Sequence, residues 1–418
     1  MLQIADLHIH SKYSRACSSN LTLENIAKTA KIKGVDIIAT GDFTFPAWFS
    51  GIKQQLEEIE QTGLYKLKLD NNKYTKFLLS TELALIYKKN DKCRRIHIML
   101  HAPNLKAVEE LNSYLDKNFN IRSDGRPILG MSAEKLCELC FSIHPNFIIY
   151  PAHIWTPWFA VFGSKSGFDT MEECFGKWTK KIYAYETGLS SDPEMNWRLS
   201  ALDKYSILSN SDAHSLPNIG REATIFELEK PSYYNILSAL KKKNKLNKID
   251  STIEFYPEEG MYHYDGHRVC GIKFSPDETK KHNGICPKCK KPLTVGVSYR
   301  VDELADRPVG YKLKKSPKFY KLIGLDKIIA DSMGIKSRSS KKVKAKYSKI
   351  IKNTDSEIKI LLNYPLEELK KTMPNNIVEG IKKVREGDVV IEPGFDGEYG
   401  KIIIYNRNKK KPQQKFLF

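Results

Sequence analysis

Apolar runs alternate with amphipathic stretches along the first 230 residues of the chain. Two of the amphipathic stretches, Leu23–Lys33 and residues 107–118, predict helices because their apolar positions recur at helical spacing. Such alternation is typical of βα units around a mostly parallel sheet. The runs that we predict as strands number seven, which favours an α/β barrel, and they are residues 3–10, 35–40, 76–85, 95–101, 147–153, 181–186 and 205–211.

The amino-acid composition of the chain changes twice after this alternating part. A lysine-rich stretch at residues 241–248 predicts the end of the first unit, and the following segment is rich in Gly, Tyr, Cys and Pro, as small metal-binding modules are. The remainder is strongly basic and reads as helical. We therefore predict three regions, at residues 1–250, 251–309 and 310–418.

The net charge of +19 and the pI near 9.3 predict a surface that attracts a polyanion, and nucleic acid is the first partner to consider. No apolar run is long enough to predict a membrane span, and the first residues do not resemble a secretory leader. We predict a cytoplasmic protein without membrane association. Its eight cysteines are then better interpreted as thiols or metal ligands than as disulfides.

Nearly every predicted strand ends in a histidine or an acid. His8 and His10 are two apart on the first strand, so both rings lie on one face, and Asp212 and His214 repeat this spacing on the last strand. These four residues are our candidates for catalysis. Imidazole and carboxylate groups suit Zn, Mn or Mg, and the full set of predicted ligands is His8, His10, Asp42, Glu82, His97, His153, Asp212 and His214.

Two positions near this set stay open. His101 is four residues after His97 on the same strand, so it could also face the metals or be a core residue. Glu186 could support a ligand or be a plain acid at the end of a strand.

Five segments resemble the motifs of the PHP (polymerase and histidinol phosphatase) family of phosphoesterases: DLHIHS at 6–11, ATGD at 39–42, Glu82 with IHI at 96–98, PAH at 151–153 and SDAH at 211–214. The resemblance covers about residues 1–245. It implies a distorted seven-stranded βα barrel with up to three divalent metals, which activate water and hold a phosphate. The chain departs from the family at Asp42, where many members have His, and at residues 15–17, which lack a further His.

The spacing of His267, Cys270, Cys286 and Cys289 is that of a zinc ribbon, in which two short knuckles close a tetrahedral site. A closed site of this kind is structural. His267 has the knuckle spacing, while His263 and His282 are alternatives for the fourth ligand.

Residues 310–352 contain 14 Lys or Arg and two Asp, with aromatic residues between them. Beside a zinc ribbon this pattern predicts a DNA-binding surface, although a solvated helix face is the alternative. Trp155 and Trp158 follow His153 in a predicted loop and could stack on a base or pack as core. Arg221 could hold a phosphate or be an exposed structural arginine.

Four further segments resemble the endonuclease Q family: YHYDGHRVCG at 262–271, CPKCKKPLTVGV at 286–297, ELADRP at 303–308 and EPGFDGEYG at 392–400. The resemblance implies a DNA repair endonuclease that cuts on the 5′ side of deaminated bases (hypoxanthine, uracil, xanthine) and abasic sites. Two alternatives stay open: a PHP phosphatase for a small phosphoester, and a DNA-binding scaffold without catalysis.

The last residues, QQKFLF at 413–418, loosely resemble the peptides that dock on sliding clamps such as PCNA. We predict a clamp partner for this tail, with an unused terminus as the alternative.

Overall fold

The computed structural model describes residues 1–69 and 75–405 of the chain. Its strands β1 to β18, in chain order, are Leu2–Asp6, Ile37–Ala39, Leu56–Glu58, Tyr65–Leu67, Lys76–Leu78, Ser80–Lys89, Lys92–His101, Ile128–Leu129, Ile148–Pro151, Ala184–Glu186, Ser206–Leu208, Ala223–Glu227, Lys248–Glu254, Asp265–His267, Ile272–Phe274, Lys318–Lys321, Val390–Glu392 and Lys401–Ile403. Its helices α1 to α14 are Leu23–Lys33, Pro46–Gln55, Leu105–Asn118, Ala133–Ile143, Met171–Phe175, Pro193–Asn196, Tyr233–Leu240, Pro276–Lys281, Val297–Leu304, Leu325–Met333, Lys341–Asn353, Glu357–Leu362, Leu366–Thr372 and Asn375–Glu386. Within the described ranges, no helix combines the length and the apolar character that crossing a membrane needs.

Strand β1 lies inside an eight-stranded sheet of order β16-β13-β12-β1-β2-β5-β4-β3. It pairs parallel with β2 and antiparallel with β12. Helix α1 connects β1 to β2 with the predicted bounds, because the Thr22 side chain accepts from the Asn25 amide at its start and Gly34 takes a left-handed conformation, with a φ of 86°, at its end. This β1-α1-β2 unit confirms the expected βα connection.

A second sheet, of order β8-β6-β7-β9, is built on a long antiparallel hairpin. Strands β6 and β7 are joined at Asn90 and Asp91, which both have positive φ values of 53° and 57°. Consecutive positive φ values are the signature of the tight turns that hairpins prefer. The predicted strands at residues 76–85 and 95–101 leave these residues between them, so the sequence pattern did not predict the turn.

The strand pairings are parallel in some places and antiparallel in others, so the expectation of a mostly parallel sheet is wrong. The structure confirms a mixed α/β fold. The closed seven-stranded barrel stays a prediction, since strands β10 and β11 form a separate parallel pair beside the two larger sheets.

The predicted boundary at residue 250 falls inside strand β13. This strand pairs antiparallel with β12 and parallel with β16, so the chain returns to the first sheet after the cysteine-containing segment. Helices α10, α11 and α14 then pack on one another through apolar side chains, among them Ile328, Val343 and Ile381. The basic C-terminal region is therefore a packed helical unit on one edge of the first sheet.

Candidate metal centre

His8 and His10 follow strand β1, and a carboxylate holds the Nδ1 atom of each ring. The Nδ1 atom of His8 lies 3.1 Å from both carboxylate oxygens of Glu186, and that of His10 lies 3.1 Å from Asp42 Oδ1. Because each Nδ1 is taken in this way, the Nε2 atoms are the ones left to bind a metal. Both side chains are fully buried.

The first group of candidate ligands consists of His8, His10, Glu82 and Asp212, whose ligand atoms all lie within 4.8 Å of one another. The Nε2 atom of His10 is 3.1 Å from Asp212 Oδ1 and 3.3 Å from Glu82 Oε2. Two ligands of one tetrahedral zinc ion are about 3.3 Å apart, given bonds of about 2.0 Å. The spacing therefore suits a single divalent ion.

A second group shares Glu82 with the first and adds His97 and His153. In the β6–β7 hairpin, His97 pairs with Ala84, which puts it diagonally beside Glu82 on the same face. The Glu82 Oε1 atom is 2.8 Å from His97 Nδ1 and 3.1 Å from His153 Nε2. With one oxygen toward each group, Glu82 is placed to bridge two ions.

The buried Nε2 atom of His8 tests whether a metal fits. It has no hydrogen-bond partner among the described residues, and it lies 3.5 Å from Asp212 Oδ1 and 3.7 Å from Glu82 Oε2. An unpaired buried nitrogen costs about 1–3 kcal/mol unless something binds it. A divalent ion held with the two carboxylates would satisfy it, so the residues present fit a metal.

The charges of the centre keep its carboxylates ionised. Burial alone would raise the pKa of Glu82, but His97, Arg126 and His8 outweigh it and hold the pKa well below its usual value. Burial likewise opposes ionisation of Asp212, yet the nearby histidines lower its pKa. Ionised carboxylates are the form that binds divalent cations.

Backbone strain marks three of the loops that carry these side chains. Asp42, His153 and Asp212 have φ values of 47°, 27° and 46°, in the left-handed region that non-glycine residues rarely adopt. Gly188 is required beside His153, because a Cβ atom at this position would lie 2.4 Å from the His153 Cβ.

The structure brings together six of the eight predicted barrel ligands, and Asp42 and His214 lie outside both groups. The oxygens of Asp42 accept from the Ser11 amide and the Ser14 hydroxyl as well as contacting His10, so this acid supports His10. The His214 ring lies against the His10 ring, with centroids 4.6 Å apart and the planes tilted by 56°, and donates from Nδ1 to the Asp212 carbonyl. A direct ligand role for these two residues stays a prediction.

The two open positions are resolved by their contacts. His101 contacts the Tyr150 hydroxyl at 3.0 Å and belongs to neither ligand group, and burial lowers its pKa to about 3. Glu186 orients His8 and accepts from the Asn210 amide at 2.9 Å, which is the supporting role rather than that of an isolated acid.

The predicted substrate-binding residues differ in exposure. Trp155 is fully buried and donates to the Asn196 side chain, as a core residue does, so the structure contradicts its assignment to base stacking. Trp158 is 40% exposed and contacts Tyr262 edge to face, with ring centroids 5.3 Å apart. Arg221 donates to the backbone carbonyl of Ser211, so it braces the loop of the ligand Asp212 instead of standing exposed.

Sequence reasoning missed Arg126, which donates to Glu82 Oε2 at 3.0 Å. It lies in a loop before strand β8, far from any motif, and its only signal was the preceding Asp124-Gly125 turn. Gly125 itself is needed, because a Cβ there would lie 2.5 Å from both Asp42 Oδ2 and Ser14 Oγ.

The second candidate metal cluster is the predicted ribbon, and His267 is the histidine that lies in it. His267, Cys270, Cys286 and Cys289 place their ligand atoms within 4.8 Å of one another. The hairpin of β14 and β15 carries the first two, and a turn carries the cysteine pair. His263 and His282 lie outside the cluster.

The fold and its two clusters define a metal-dependent hydrolase with an attached zinc-ribbon module. The family model described as the MJ0043 C-terminal domain matches residues 324–388. The uncharacterized protein MJ0043 of Methanocaldococcus jannaschii is 36% identical over 250 residues, which cover 59% of this chain and only 31% of that protein. This chain thus spans about a third of the length of that relative.

Two solved structures match nearly the whole chain. The lesion-specific endonuclease PfuEndoQ from Pyrococcus furiosus is 32% identical, with a TM-score of 0.84 over 96% of this chain and 95% of that one. Endonuclease Q in complex with a 27-mer duplex substrate, with an abasic lesion at its active site, gives the same identity and TM-score over 99% of both chains. The chain belongs to the endonuclease Q family.

Proposed function

We propose that this protein is a metal-dependent DNA repair endonuclease that hydrolyses the phosphodiester on the 5′ side of deaminated bases and abasic sites. The observation that carries the proposal is the buried Glu82, shared by two ligand groups in a chain of the endonuclease Q family. Divalent ions held by these residues would supply an activated water and would neutralise the charge of a phosphodiester.

The side chains around the ions have separable tasks. Glu82 is fully buried and can only hold metal, whereas the Asp212 side chain is 22% exposed and reaches the surface that a substrate would meet. Arg126 keeps part of its guanidinium accessible, with 24% of the side chain exposed, so it can donate to a phosphate oxygen beside the centre.

Support for a DNA substrate comes from the surface around this centre. The ring of Trp158 is exposed in the loop that follows His153, and its contact with Tyr262 joins the metal centre to the ribbon. Exposed aromatic rings at such a position suit stacking on an extruded base. The basic segment 310–352 would then contact the phosphate backbone, which predicts strongly salt-dependent binding.

The test is cleavage of end-labelled duplexes that contain one uracil, one hypoxanthine or one abasic site, with manganese or magnesium supplied. We expect a single cut 5′ to the lesion, and a loss of more than about 100-fold in Asp212→Ala, since even residues that only support ligands account for about 10–100-fold. Asp116→Ala, at an exposed Asp–Arg pair, is the matched control and should cleave normally.

Two outcomes would overturn the proposal. Hydrolysis of nucleotides or p-nitrophenyl phosphate without DNA cleavage would favour the small-phosphoester phosphatase. Metal bound only at the ribbon, without hydrolysis, would favour the DNA-binding scaffold.

Clamp binding by the tail is a separate part of the proposal. Residues 413–418 lie outside the described residues, so the support is the sequence resemblance alone. We expect a chain that ends at residue 405 to lose binding to a sliding clamp such as PCNA in a pull-down while cleaving DNA normally. Equal clamp binding by both chains would contradict this part.

A further inference from the structure

A cavity of about 580 Å³ lies at the far end of strand β11 from the metal centre. Ser206, the first residue of β11, lines it, whereas Asp212 comes four residues after Leu208, the last residue of the same strand. Cavities of about 300–1,000 Å³ are the size that small-molecule ligands occupy. Nothing in the proposed cleavage reaction uses this cavity.

The wall of the cavity contains a donor without an acceptor. Trp197 is only 6% exposed, and its indole N–H is buried with no hydrogen-bond partner among the described residues. Leaving such a donor unpaired is unfavourable. Tyr185 and Tyr205 also line the cavity, where their buried rings meet edge to face and form part of its apolar wall.

Four lysines line the cavity against two acids, which leaves an excess of positive charge, and they are Lys242, Lys248, Lys314 and Lys315 against Asp203 and Asp250. Lys248 is already paired with Glu227 at 2.8 Å. Lys242 donates to the carbonyls of Asp203 and Tyr205, and burial lowers its pKa more than the nearby Asp203 carboxylate raises it. Lys314 and Lys315 come from the loop before β16 and also line the cavity. The acidic Asp203 is already held by both terminal nitrogens of Arg307, at 2.9 and 2.6 Å.

These features together select a class of ligand. Free N–H donors and ammonium groups suit an acceptor-rich anion such as a phosphate, and Lys is a common phosphate ligand. A phosphate alone would leave most of the volume empty, so the cavity suits a larger phosphate ester. We propose that this cavity binds a nucleotide, either free or as a unit of single-stranded DNA, with its phosphate toward Lys242, Lys314 and Lys315.

The test is isothermal titration of the full chain with dAMP, with inorganic phosphate and with a short oligothymidylate. We expect dAMP to bind, and to bind about tenfold more weakly (about 1.4 kcal/mol) in the double variant Lys314→Ala, Lys315→Ala. Lys312→Ala, an exposed lysine of the same loop outside the cavity wall, is the matched control and should bind normally. Trp197→Phe, which removes the unpaired N–H, should also weaken binding.

The outcomes separate the two sources of the ligand and the two proposals. Competition between oligothymidylate and dAMP would assign the site to a DNA strand, and its absence would assign it to a free nucleotide. No dAMP binding at millimolar concentration, or equal binding by the double variant, would overturn the inference and leave water in the cavity. Cleavage of lesion DNA should persist in Trp197→Phe, since Trp197 has no part in the proposed cleavage, so the failure of one proposal does not imply the failure of the other.

Discussion

The two metal clusters of this protein are built in opposite ways. In the ribbon, His267 and Cys289 are 22 positions apart, and the ligands come from two short segments. In the histidine–carboxylate centre, His10 and Asp212 are 202 positions apart, and each group of candidate ligands draws on several strands. The ligands of the ribbon can be recognised from their local spacing in the sequence. The histidine–carboxylate centre forms only when strands that are distant in the sequence come together.

The clusters also differ in what surrounds them. Only Cys286 of the ribbon is buried, and its other ligands are half-buried. Five of the six candidate ligands in the histidine–carboxylate centre are buried and Asp212 is partly exposed, and Glu186, Asp42 and Arg126 hold the centre in place. A supporting layer fixes ligand geometry to the degree that chemistry requires, while a site that only closes a fold can do without one.

The largest effect on DNA cleavage is expected at Glu82, the residue that the two ligand groups of the histidine–carboxylate centre share. In Glu82→Gln, the loss of one buried charge should empty both groups, leave only the ribbon metal and lower DNA cleavage by more than about 100-fold. Metal content by mass spectrometry and a cleavage assay check this. Glu367→Gln, on the exposed face of α13, is the control, and unchanged metal content in Glu82→Gln would contradict the bridging role.

Removing a ribbon ligand should have a smaller effect on cleavage and a different signature. We expect Cys286→Ser to lose one equivalent of zinc and to expose residues 262–308 to limited proteolysis, because a structural zinc site stabilises its own module. The metals of the histidine–carboxylate centre should remain bound in Cys286→Ser. The exposed Cys93→Ser is the control, and loss of all metals in Cys286→Ser would show that the two clusters are not independent.

A substitution in the supporting layer should lower DNA cleavage less than the loss of a ligand does, and more than a neutral substitution does. Asp42→Asn keeps its size but weakens the contact that orients His10, so we expect cleavage to fall about 10–100-fold with the fold intact. Initial rates at several manganese concentrations measure this. A loss as large as that of Glu82→Gln would instead favour Asp42 as a direct metal ligand.

The smallest expected effect is a change of folding stability with pH, caused by Glu254 at the end of strand β13. Burial raises the pKa of Glu254 from 4.5 to about 8, so stability present at low pH is lost as pH rises between these values. The slope is at most about 1.4 kcal/mol per pH unit for one group. Urea unfolding at about pH 6 and about pH 8 should show this loss, and Glu254→Gln should reduce it. An equal loss in Glu254→Gln would assign the effect elsewhere.

The sequence by itself determined the chemistry of both clusters and part of the fold. The pairs His8/His10 and Asp212/His214, the ribbon spacing and the bounds of Leu23–Lys33 follow from local periodicity and capping, which depend on neighbours in the chain. Charge likewise predicted a polyanionic partner, because it is a property of composition.

Only the tertiary structure decided which of the predicted residues lie together in one candidate metal site. The folded chain puts Glu82 in both ligand groups and places Asp42 against His10. It also buries Trp155 against Asn196. Arg126 reaches Glu82 from a loop that carries no recognisable motif. Each of these contacts joins residues that are distant along the chain. Short-range patterns carry no information about such contacts, because they depend on how whole strands pack.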